Sequence, residues 1–550
     1  MGRPRCQPAK KERNMKYPIG IQSFEIIRQR GYVYVDKTDL IYELAKGHVY
    51  FLARPRRFGK SLLADTLRCY FEGRRDLFEG LKIMDLEQEW TKYPVLSFDF
   101  NGIEPRNPNA LRANILMVIQ ETETRYGIET PVLGGDIDVK SMVGLRFNHL
   151  IENLHQITGK PVVVTVDEYD KPLLDLLDTG RPGDEQQLDD NRELLKTFFS
   201  TFKAADQHLR FVLLTGVTKF SQITMFSGAN QPDDISLDQR YDTLLGITEQ
   251  ELHTVFADAI HQMAGAYGQS DEEMKEQLKQ RYDGYHFSNR MIDVYNPFSL
   301  LNAFAKQLLD DYWFTSGTPS YIVRLLGKTQ EDVMTYTGQY YKRQLFIDYK
   351  ADTAMPLPMI FQAGYLTIKG YNRRLGTYLL DFPNNEVREG LLAVLANSYL
   401  QSRMEPSSWM GEVVMALEAA DLDRVRRLFT GFLAETPYSM RPKKDQKDRE
   451  LYFHYTFYLI LRLISCYTVY TEKQLSEGRA DCIIETPQYV YIFEFKLDGT
   501  AAEALQQIED RGYANPYAAD SRPIYKIGAT FSSKTGTIEE WKVTTQSSGN

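Results

Sequence analysis

A chain of 550 residues is too long for one hydrophobic core, so we expect roughly two to four domains. With 43% hydrophobic and 25% charged residues, the composition is typical of a globular protein and excludes a disordered chain. The net charge of −9 excludes a protein that is basic over its whole surface, so any nucleic acid must meet a local basic patch.

Residues 1–14 (MGRPRCQPAKKERN) are basic and lack apolar periodicity. We predict a disordered basic tail there, or residues upstream of a natural start at Met15. The tail holds no apolar signal-peptide core, and the four cysteines of the chain form no CxxC pair. These features favour a reducing cytoplasm over a disulfide framework or a structural zinc site.

Residues 15–250 alternate between strand-like and helix-like patterns, which predicts an α/β domain with a parallel sheet and flanking helices. A helix is predicted over Asn191–Gln207, after a polar, acidic loop at residues 180–191. Four short apolar runs have the pattern of strands that are buried on both faces: His48–Ala53, Val95–Phe100, Val162–Val166 and Phe211–Thr215.

The character of the sequence changes after Thr248, and residues 251–440 are predicted to form a mostly helical middle region. Thr248 and Glu251 have capping-box spacing before a helix that extends to about Tyr267. Another helix is predicted over Asp271–Tyr282. The charged stretch at residues 441–448 (RPKKDQKD) is expected to act as a linker.

Residues 441–550 are predicted to form a final α/β unit, with a helix from Glu450, several strands and a closing helix over Thr500–Arg511. The most apolar stretch, Leu451–Tyr470, contains His454 and Arg462. A buried amphipathic helix is therefore favoured there over a membrane span, and no membrane association is expected.

The segment His48–Phe71 (HVYFLARPRRFGKSLLADTLRCYF) has the pattern of a strand, a loop and a helix. Gly59 permits close backbone approach, Lys60 can reach the terminal phosphates of ATP, and the Ser61 hydroxyl can bind Mg²⁺. The usual pattern is GxxxxGK[ST], and Arg54 occupies the position of its first glycine. The alternative is a basic turn that precedes a core helix.

A second apolar run, PVVVTVDEYD, ends in Asp167 and Glu168. Such a pair suits one carboxylate on Mg²⁺ and the next beside an attacking water. A third strand ends near Thr215 and Thr218, where a polar side chain can sense the γ-phosphate. The alternatives are an acidic strand end and a strand-end threonine without a special role.

Several of these segments resemble the AAA-ATPase-like family of bacterial proteins: MKYPIGIQSFEIIRQRGYVYVDKTDLIYEL, RPRRFGKS, VDEYD and TGVTKFS. Later runs, including ISLDQRYDTLLGITEQEL, YNPFSLLNAF and FQAGYLTIKG, extend the resemblance over nearly all of the chain after residue 14. The resemblance implies a P-loop NTPase fold that binds ATP and Mg²⁺. The family tolerates the missing first glycine, so Arg54 bears more on hydrolysis than on binding. Members commonly carry a C-terminal PD-(D/E)xK nuclease-like domain.

The C-terminal unit contains Gly478-Arg479-Ala480-Asp481, a predicted hairpin, and then Glu494-Phe495-Lys496. Glu494 and Lys496 are two residues apart on one strand, so their side chains share a face. Asp481 and Glu494 can bind Mg²⁺, and Lys496 can stabilise charge on a phosphate or orient a water. The alternative is an amphipathic edge strand with a surface Glu–Lys pair.

This constellation resembles the PD-(D/E)xK superfamily, with its restriction-endonuclease-like fold. Gln507, followed by Tyr513, resembles the Gln…Tyr element of RecB-type members and is preferred to Gln506 as the matching residue. Glu450 matches the first acidic residue of the superfamily, or is a solvated residue at a helix start.

The leading hypothesis is an ATP-driven or ATP-gated nuclease that acts on DNA, with RNA not excluded and with homo-oligomers possible. The alternative is a nucleotide-dependent switch whose nuclease-like domain binds nucleic acid or a partner without cutting. A third reading is a nuclease with a vestigial nucleotide loop. Although the net charge is negative, local basic groups could still bind nucleic acid: Arg54, Arg56, Arg57, Arg441, Lys443 and Lys444.

Overall fold

The computed structural model describes residues 15–104, 106–129, 139–177, 179–219, 232–316, 322, 333–347, 356–391, 406–435, 468–475 and 478–546. The chain divides into two compact units, Met1–Arg388 and Glu389–Asn550. The first unit thus joins the predicted N-terminal domain to most of the predicted middle region. The predicted tail at 1–14, the linker at 441–448 and the helix from Glu450 to Ser465 lie outside the described residues.

The first unit contains a five-stranded parallel sheet, which confirms the predicted α/β class. Its strand order is β2-β3-β4-β1-β5, so β1 lies beside β4 although most of the domain separates them in sequence. All six residues of β3 are buried, as a strand with helices on both faces requires. The strands are β1 (Val49–Ala53), β2 (Val95–Asp99), β3 (Val162–Asp167), β4 (Leu209–Gly216) and β5 (Asp233–Asp234).

In the part of this region that the structure describes, seven helices pack around the sheet or precede it: α1 (Phe24–Gln29), α2 (Thr38–Ala45), α3 (Lys60–Phe71), α4 (Ala110–Tyr126), α5 (Val139–Thr158), α6 (Lys171–Leu174) and α7 (Asp184–Ala204). Helix α7 begins seven residues before the predicted Asn191, so the predicted loop at 180–191 was wrong from Asp184 onward. Gly183 has a left-handed φ of 88° and ends the loop. Asp184 and Glu185 lie in the first turn, where the helix dipole favours negative charge.

Among the described residues, the helices in the middle of the first unit include α8 (Glu249–Val255), α9 (Ala257–Tyr267), α10 (Asp271–Tyr282), α11 (Pro297–Lys306), α12 (Tyr312–Thr315), α13 (Gln344–Ile347) and α14 (Leu357–Gln362). The predicted capping box is present, because the Thr248 side chain accepts from the Glu251 N–H and the Glu251 side chain accepts in return. The helix predicted to extend to Tyr267 is broken at Phe256 into α8 and α9.

A prediction of mostly helical structure missed the sheets of this middle region. β6 (Ile247–Thr248) pairs with β7 (Val294–Tyr295), and β8 (Gln339–Lys342), β9 (Thr367–Asn372) and β10 (Thr377–Asp381) form an antiparallel sheet in the order β8-β10-β9. A tight turn joins β9 to β10, and Gly376 in that turn has a φ of 63°.

The second unit is built on a mixed five-stranded sheet in the order β11-β12-β13-β14-β15. Strands β13 and β14 are parallel, and the other neighbouring pairs are antiparallel. The crossover between the parallel strands is α17, which the sequence predicted over Thr500–Arg511 and which a Thr500–Glu503 capping box begins. The elements are α15 (Pro406–Glu418), α16 (Leu422–Glu435), β11 (Thr468–Leu475), β12 (Gly478–Glu485), β13 (Val490–Leu497), α17 (Ala501–Asp510), β14 (Ile524–Phe531) and β15 (Ile538–Gln546).

A core between the sheet and α17 holds β13 and β12 in place. It includes Ala480, Ile492 and Ile508, each fully buried. Across both units, no helix in the described part of the chain combines the length and the apolarity needed to cross a bilayer.

Candidate functional site

The phosphate-loop candidate lies between the end of β1 at Ala53 and the start of α3 at Lys60. Gly59 has a φ of 91°, a left-handed conformation that favours glycine, and it is the N-cap residue of α3. No side chain of the described residues caps this helix terminus. The first N–H groups of α3 therefore remain available to an anion, and the helix dipole attracts one.

The Lys60 side chain folds back over the loop that precedes it. Its Nζ donates to the carbonyl oxygens of Arg54 at 3.0 Å and Pro55 at 3.1 Å. Burial lowers the pKa of Lys60, whereas the nearby Glu168 and Asp167 act in the opposite direction. The ammonium group is thus held by neutral carbonyls, next to the carboxylates that end β3.

Arg54 does not belong to a phosphate-facing basic patch, which corrects the sequence-based grouping of three arginines. Its side chain is 1% exposed, donates to the carbonyls of Ser236 and Tyr241, and lies over the Phe287 ring at 4.0 Å. Burial lowers the pKa of Arg54 to about 9. The residue that replaces the usual glycine therefore points into the protein interior.

A cleft of about 310 Å³ opens beside the loop. Its size lies at the lower end of the range for small-molecule sites, which is roughly 300–1,000 Å³. One wall carries Arg56, Arg57, Lys60 and Ser61, and Glu168 lies among the other lining residues. Cations and helix N–H groups thus converge on a space that suits a phosphorylated ligand. The remaining walls come from the segment at residues 18–22 and from the start of α11.

The carboxyl ends of β3 and β4 place the second group of predicted residues together. Thr215 donates a close hydrogen bond to Asp167 Oδ1, and both side chains are buried. Glu168 has a φ of 51°, unusual for a residue other than glycine, and burial raises its pKa. Thr218, the other sensor candidate, instead packs its hydroxyl at 3.8 Å from Met359 Sδ.

Asp170 is a residue of this site that sequence reasoning did not single out. Its side chain is 1% exposed, and Oδ2 accepts from the N–H groups of Val217 at 2.9 Å and Thr218 at 2.6 Å. Burial raises the pKa of Asp170 to about 6. The carboxylate fixes the chain where it leaves β4, next to Thr215. The repeated acidic residue in VDEYD was the available signal.

The second candidate site lies on β12 and β13. These strands pair through Cys482 and Phe493, and the next position in that register sets Asp481 opposite Glu494. Asp481 Oδ2 accepts from the Phe495 N–H at 2.8 Å. Lys496 shares a face with Glu494, and its Nζ lies 3.5 Å from Glu494 Oε1. The three predicted residues therefore cluster at one point of the sheet.

Gln507 on α17 connects this cluster to the helix. Its Nε2 donates a close hydrogen bond to Glu494 Oε1, and its Oε1 accepts from Lys496 Nζ at 2.6 Å. The same amide lies 3.4 Å from the Tyr513 hydroxyl, whereas the neighbouring Gln506 bonds to Asp510 on the exposed side. The structure thus brings Gln507, and not Gln506, to the cluster.

Glu494 is buried with one oxygen unused. The side chain is 1% exposed, and Oε2 has no hydrogen-bond partner within the described ranges. Burial, and then the charge of Asp481, raises the pKa of Glu494 to about 8. A buried carboxylate with an unused oxygen beside a second carboxylate fits a divalent cation that prefers oxygen ligands.

The described residues contain no group of three or more His, Cys, Asp or Glu side chains placed to bind a metal. Asp481 and Glu494 are two carboxylates, and Glu450, the predicted third, lies outside the described residues. Arg441, Lys443 and Lys444, the other predicted basic group, also lie outside them.

Comparisons with known proteins match two separate segments of the chain. Residues 18–226 match the family described as Predicted AAA-ATPase, and residues 448–541 match the PD-(D/E)XK nuclease superfamily. A protein of Azotobacter chroococcum mcd 1, named "Uncharacterized protein in vnfD 5'region", is 37% identical over 528 residues, which is 94% of this chain and 96% of that protein. The chain therefore belongs to the family in which a predicted AAA-ATPase domain is joined to a C-terminal domain of the PD-(D/E)XK nuclease superfamily.

Proposed function

We propose that this chain binds and hydrolyses ATP in its first unit and cleaves DNA phosphodiesters with Mg²⁺ in its second, under control of the nucleotide. The observation that carries the proposal is the cluster of Glu494, Lys496 and Gln507. An ordinary surface Glu–Lys pair on an edge strand would be exposed. Here Glu494 is 1% exposed, and β13 lies inside the sheet between β12 and β14.

The cleft beside α3 supports nucleotide binding. The uncapped N–H groups of α3 and the Lys60 ammonium would bind the phosphates, and Ser61 and Asp167 would hold Mg²⁺. Lys60 would exchange two neutral carbonyl partners for phosphate oxygens, which are stronger acceptors because they are charged. A bound phosphate would therefore compete well with the Arg54 and Pro55 carbonyls for the Lys60 ammonium.

Two further residues support hydrolysis at this cleft. Glu168 lines it beside Lys60, and its raised pKa suits a group that takes up a proton from water. The Thr215 hydroxyl donates to Asp167 and so orients that carboxylate. Asp170 accepts hydrogen bonds from the two N–H groups that follow β4, and so it fixes the backbone next to Thr215.

Each side chain of the second site would have a separate role in the proposed cleavage. Asp481 and Glu494 would hold Mg²⁺, which neutralises charge on the phosphate and lowers the pKa of a bound water. The Phe495 N–H orients Asp481. Lys496 would stabilise the negative charge that develops on the scissile phosphate. Gln507 bonds both Glu494 and Lys496 and so keeps the carboxylate and the ammonium at a fixed separation.

The test is an incubation of the full chain with Mg²⁺ and with plasmid, linear duplex DNA, single-stranded DNA or RNA, with and without ATP. We expect Lys496→Ala to abolish cleavage and to leave ATP binding unchanged. We expect Lys60→Ala to abolish ATP binding and the effect of ATP on cleavage. Lys534→Ala and Lys46→Ala are matched controls, because each removes one exposed lysine from the same unit.

Distinct outcomes separate the alternatives. Cleavage that Lys496→Ala does not reduce would contradict the assignment of the second site. Cleavage that ignores ATP and Lys60→Ala would favour a plain nuclease with a vestigial loop. ATP-dependent DNA binding without cleavage of any substrate would favour the nucleotide-dependent switch.

A further inference from the structure

The three-stranded antiparallel sheet of the first unit has one face that is turned away from the core. Strand β10 lies in the middle, between β8 and β9. Tyr341, Tyr378 and Tyr371 pair across the three strands, so their side chains share one face. The Tyr378 ring lies 5.6 Å from that of the buried Phe346, which identifies this as the inner face. The residues that alternate with these tyrosines form the outer face.

Tyr340 lies against the sheet on this outer face. It pairs with Leu379 of β10, which pairs in turn with Gly370 of β9. A Cβ built on Gly370 would lie 3.9 Å from the Tyr340 hydroxyl oxygen, although the two residues are two strands, or roughly 10 Å, apart. The Tyr340 side chain therefore extends along the face and across β10. Since the residue is 54% exposed, the outer side of its ring is open to solvent.

Positive charge is concentrated around this face. Residues 339–347 and 367–381 contain five basic side chains and one acidic side chain, whereas the whole chain has a net charge of −9. Lys342, Arg373 and Arg374 are exposed, and their side chains have no hydrogen bond or ion pair with any other residue that the structure describes. These three cations are therefore available to an anionic partner.

The three cations lie at one end of the Tyr340 ring's face. Lys342 pairs with Thr377, the first residue of β10, and Arg373 and Arg374 lie in the turn that leads into that strand. Tyr340 precedes Lys342 by two residues on β8, which is a distance of roughly 7 Å. A ligand of only a few nucleotides could therefore contact the ring and the cations at the same time.

The combination of a flat, exposed ring and exposed cations fits a single strand of nucleotides. Unstacked bases pack on aromatic side chains, and lysine and arginine bind the phosphates between them. A duplex keeps its bases stacked within the helix, so it could not use the Tyr340 ring, and an acidic peptide would use the cations alone. Leu375, which is 62% exposed in the same turn, offers apolar surface to a neighbouring base.

We propose that the outer face of the β8-β10-β9 sheet binds single-stranded nucleic acid, with a base stacked on Tyr340 and phosphates bound by Lys342, Arg373 and Arg374. The proposal rests on the proposed function only for the choice of nucleic acid as the partner. It assigns a binding surface that neither of the two hydrolytic sites includes.

Fluorescence anisotropy of the full chain tests the proposal in EDTA and without nucleotide, so that no cleavage occurs. The labelled probes are a 20-residue oligothymidylate, an abasic strand of the same length, and a duplex. We expect Tyr340→Ala to weaken binding of oligothymidylate at least about fivefold, because one stacked base contributes that much. Binding of the abasic strand and of the duplex should not change. Tyr340→Phe is the matched control, because it keeps the ring, and it should bind oligothymidylate as the unmodified protein does.

A double variant, Arg373→Gln with Arg374→Gln, tests the cations. It is expected to weaken oligothymidylate and the abasic strand alike, because both carry the same phosphates. The slope of log K against log salt concentration should fall by up to about 1.4, since each phosphate contact with a single strand contributes about 0.7. Arg30→Gln with Arg125→Gln removes the same charge from exposed positions elsewhere in the first unit, and it should leave the slope unchanged.

Photocross-linking of a 5-iodouracil oligonucleotide to the unmodified protein locates the base without any variant, and we expect the cross-link at Tyr340. Cross-links at other residues only would overturn the proposal, as would a Tyr340→Ala protein that binds oligothymidylate as tightly as Tyr340→Phe. Equal losses of oligothymidylate and the abasic strand in Tyr340→Ala would indicate a surface for polyanions and overturn the stacking role. A failure of the proposed ATPase or nuclease activity would leave these measurements unchanged, because they contain neither nucleotide nor metal.

Discussion

Replacement of Gln507 by leucine should separate a positioning role in the second site from a merely structural one. The change removes an amide that donates to Glu494 and accepts from Lys496 while it keeps a side chain of similar size. Gln506→Leu is the matched control, because Gln506 lies on the same helix, is exposed and bonds only to Asp510 among the described residues. The two variants have the same composition and differ in which side of α17 they alter.

The magnitude follows from the two hydrogen bonds. A bond to a charged group contributes roughly 1.5–3 kcal/mol. Lys496 Nζ already lies 3.5 Å from Glu494 Oε1 and can move closer once the amide is gone, which recovers part of that loss. A net loss of about one such bond in the transition state corresponds to a roughly 10- to 100-fold slower cleavage. Gln506→Leu is expected to stay within about twofold of the unmodified protein.

The assay is single-turnover cleavage of plasmid DNA at fixed Mg²⁺, with thermal unfolding of each variant measured in parallel. A Gln507→Leu protein that is fully folded at the assay temperature and cleaves at the original rate would refute the positioning role. Equal losses for Gln506→Leu and Gln507→Leu would refute it as well, because they would indicate a general effect of α17.

Three further predictions concern the first unit. Arg54→Ala should lower the free energy of unfolding by roughly 2–4 kcal/mol, since it leaves buried carbonyls unpaired, and urea unfolding measures this. Gly364→Ala should weaken binding of a fluorescent ATP analogue, because its Cβ would lie 2.6 Å from Pro55 Cβ in the phosphate loop at a φ of 93°. Burial raises the pKa of Glu386 from 4.5 to about 7, so the folded state keeps a proton that the unfolded state has lost. Stability should therefore fall by roughly 3 kcal/mol between pH 4.5 and 7, and urea unfolding should show that Glu386→Gln removes this fall.

The sequence predicted the strands of the first sheet because buried parallel strands are continuous apolar runs, as Val162–Val166 illustrates. It failed where polar residues form regular structure. Asp184 and Glu185 were assigned to a loop, yet the helix dipole makes them good first-turn residues of α7. The β9–β10 hairpin was missed because its strands have only six and five residues, too few to distinguish a period of two from that of a helix.

The candidate sites show the same limit. Asp481, Glu494 and Lys496 were predictable because their spacing along two paired strands determines that they meet. The inward direction of Arg54 was not, since it is set by Ser236 and Tyr241, which lie far along the chain.

Arg54 also changes how the phosphate loop keeps its shape. A glycine at this position would leave the loop to its own backbone preferences, whereas Arg54 anchors its first residue to the interior. Residues of the middle region hold the rest: Trp313 Nε1 donates to the Arg56 carbonyl at 3.1 Å, and the Phe58 ring lies 4.8 Å from that of Tyr285.

Trp313 in turn connects the loop to a buried acid. Its backbone N–H donates to Glu386 at 2.6 Å, and the other oxygen of Glu386 accepts from Ser299 on α11, the helix whose first residues line the ATP cleft. A loop that is held from outside in this way cannot rearrange around a phosphate without shifting Trp313 and α11. Nucleotide binding at Lys60 would therefore reach the middle region through direct contacts, and Trp313 fluorescence should report it.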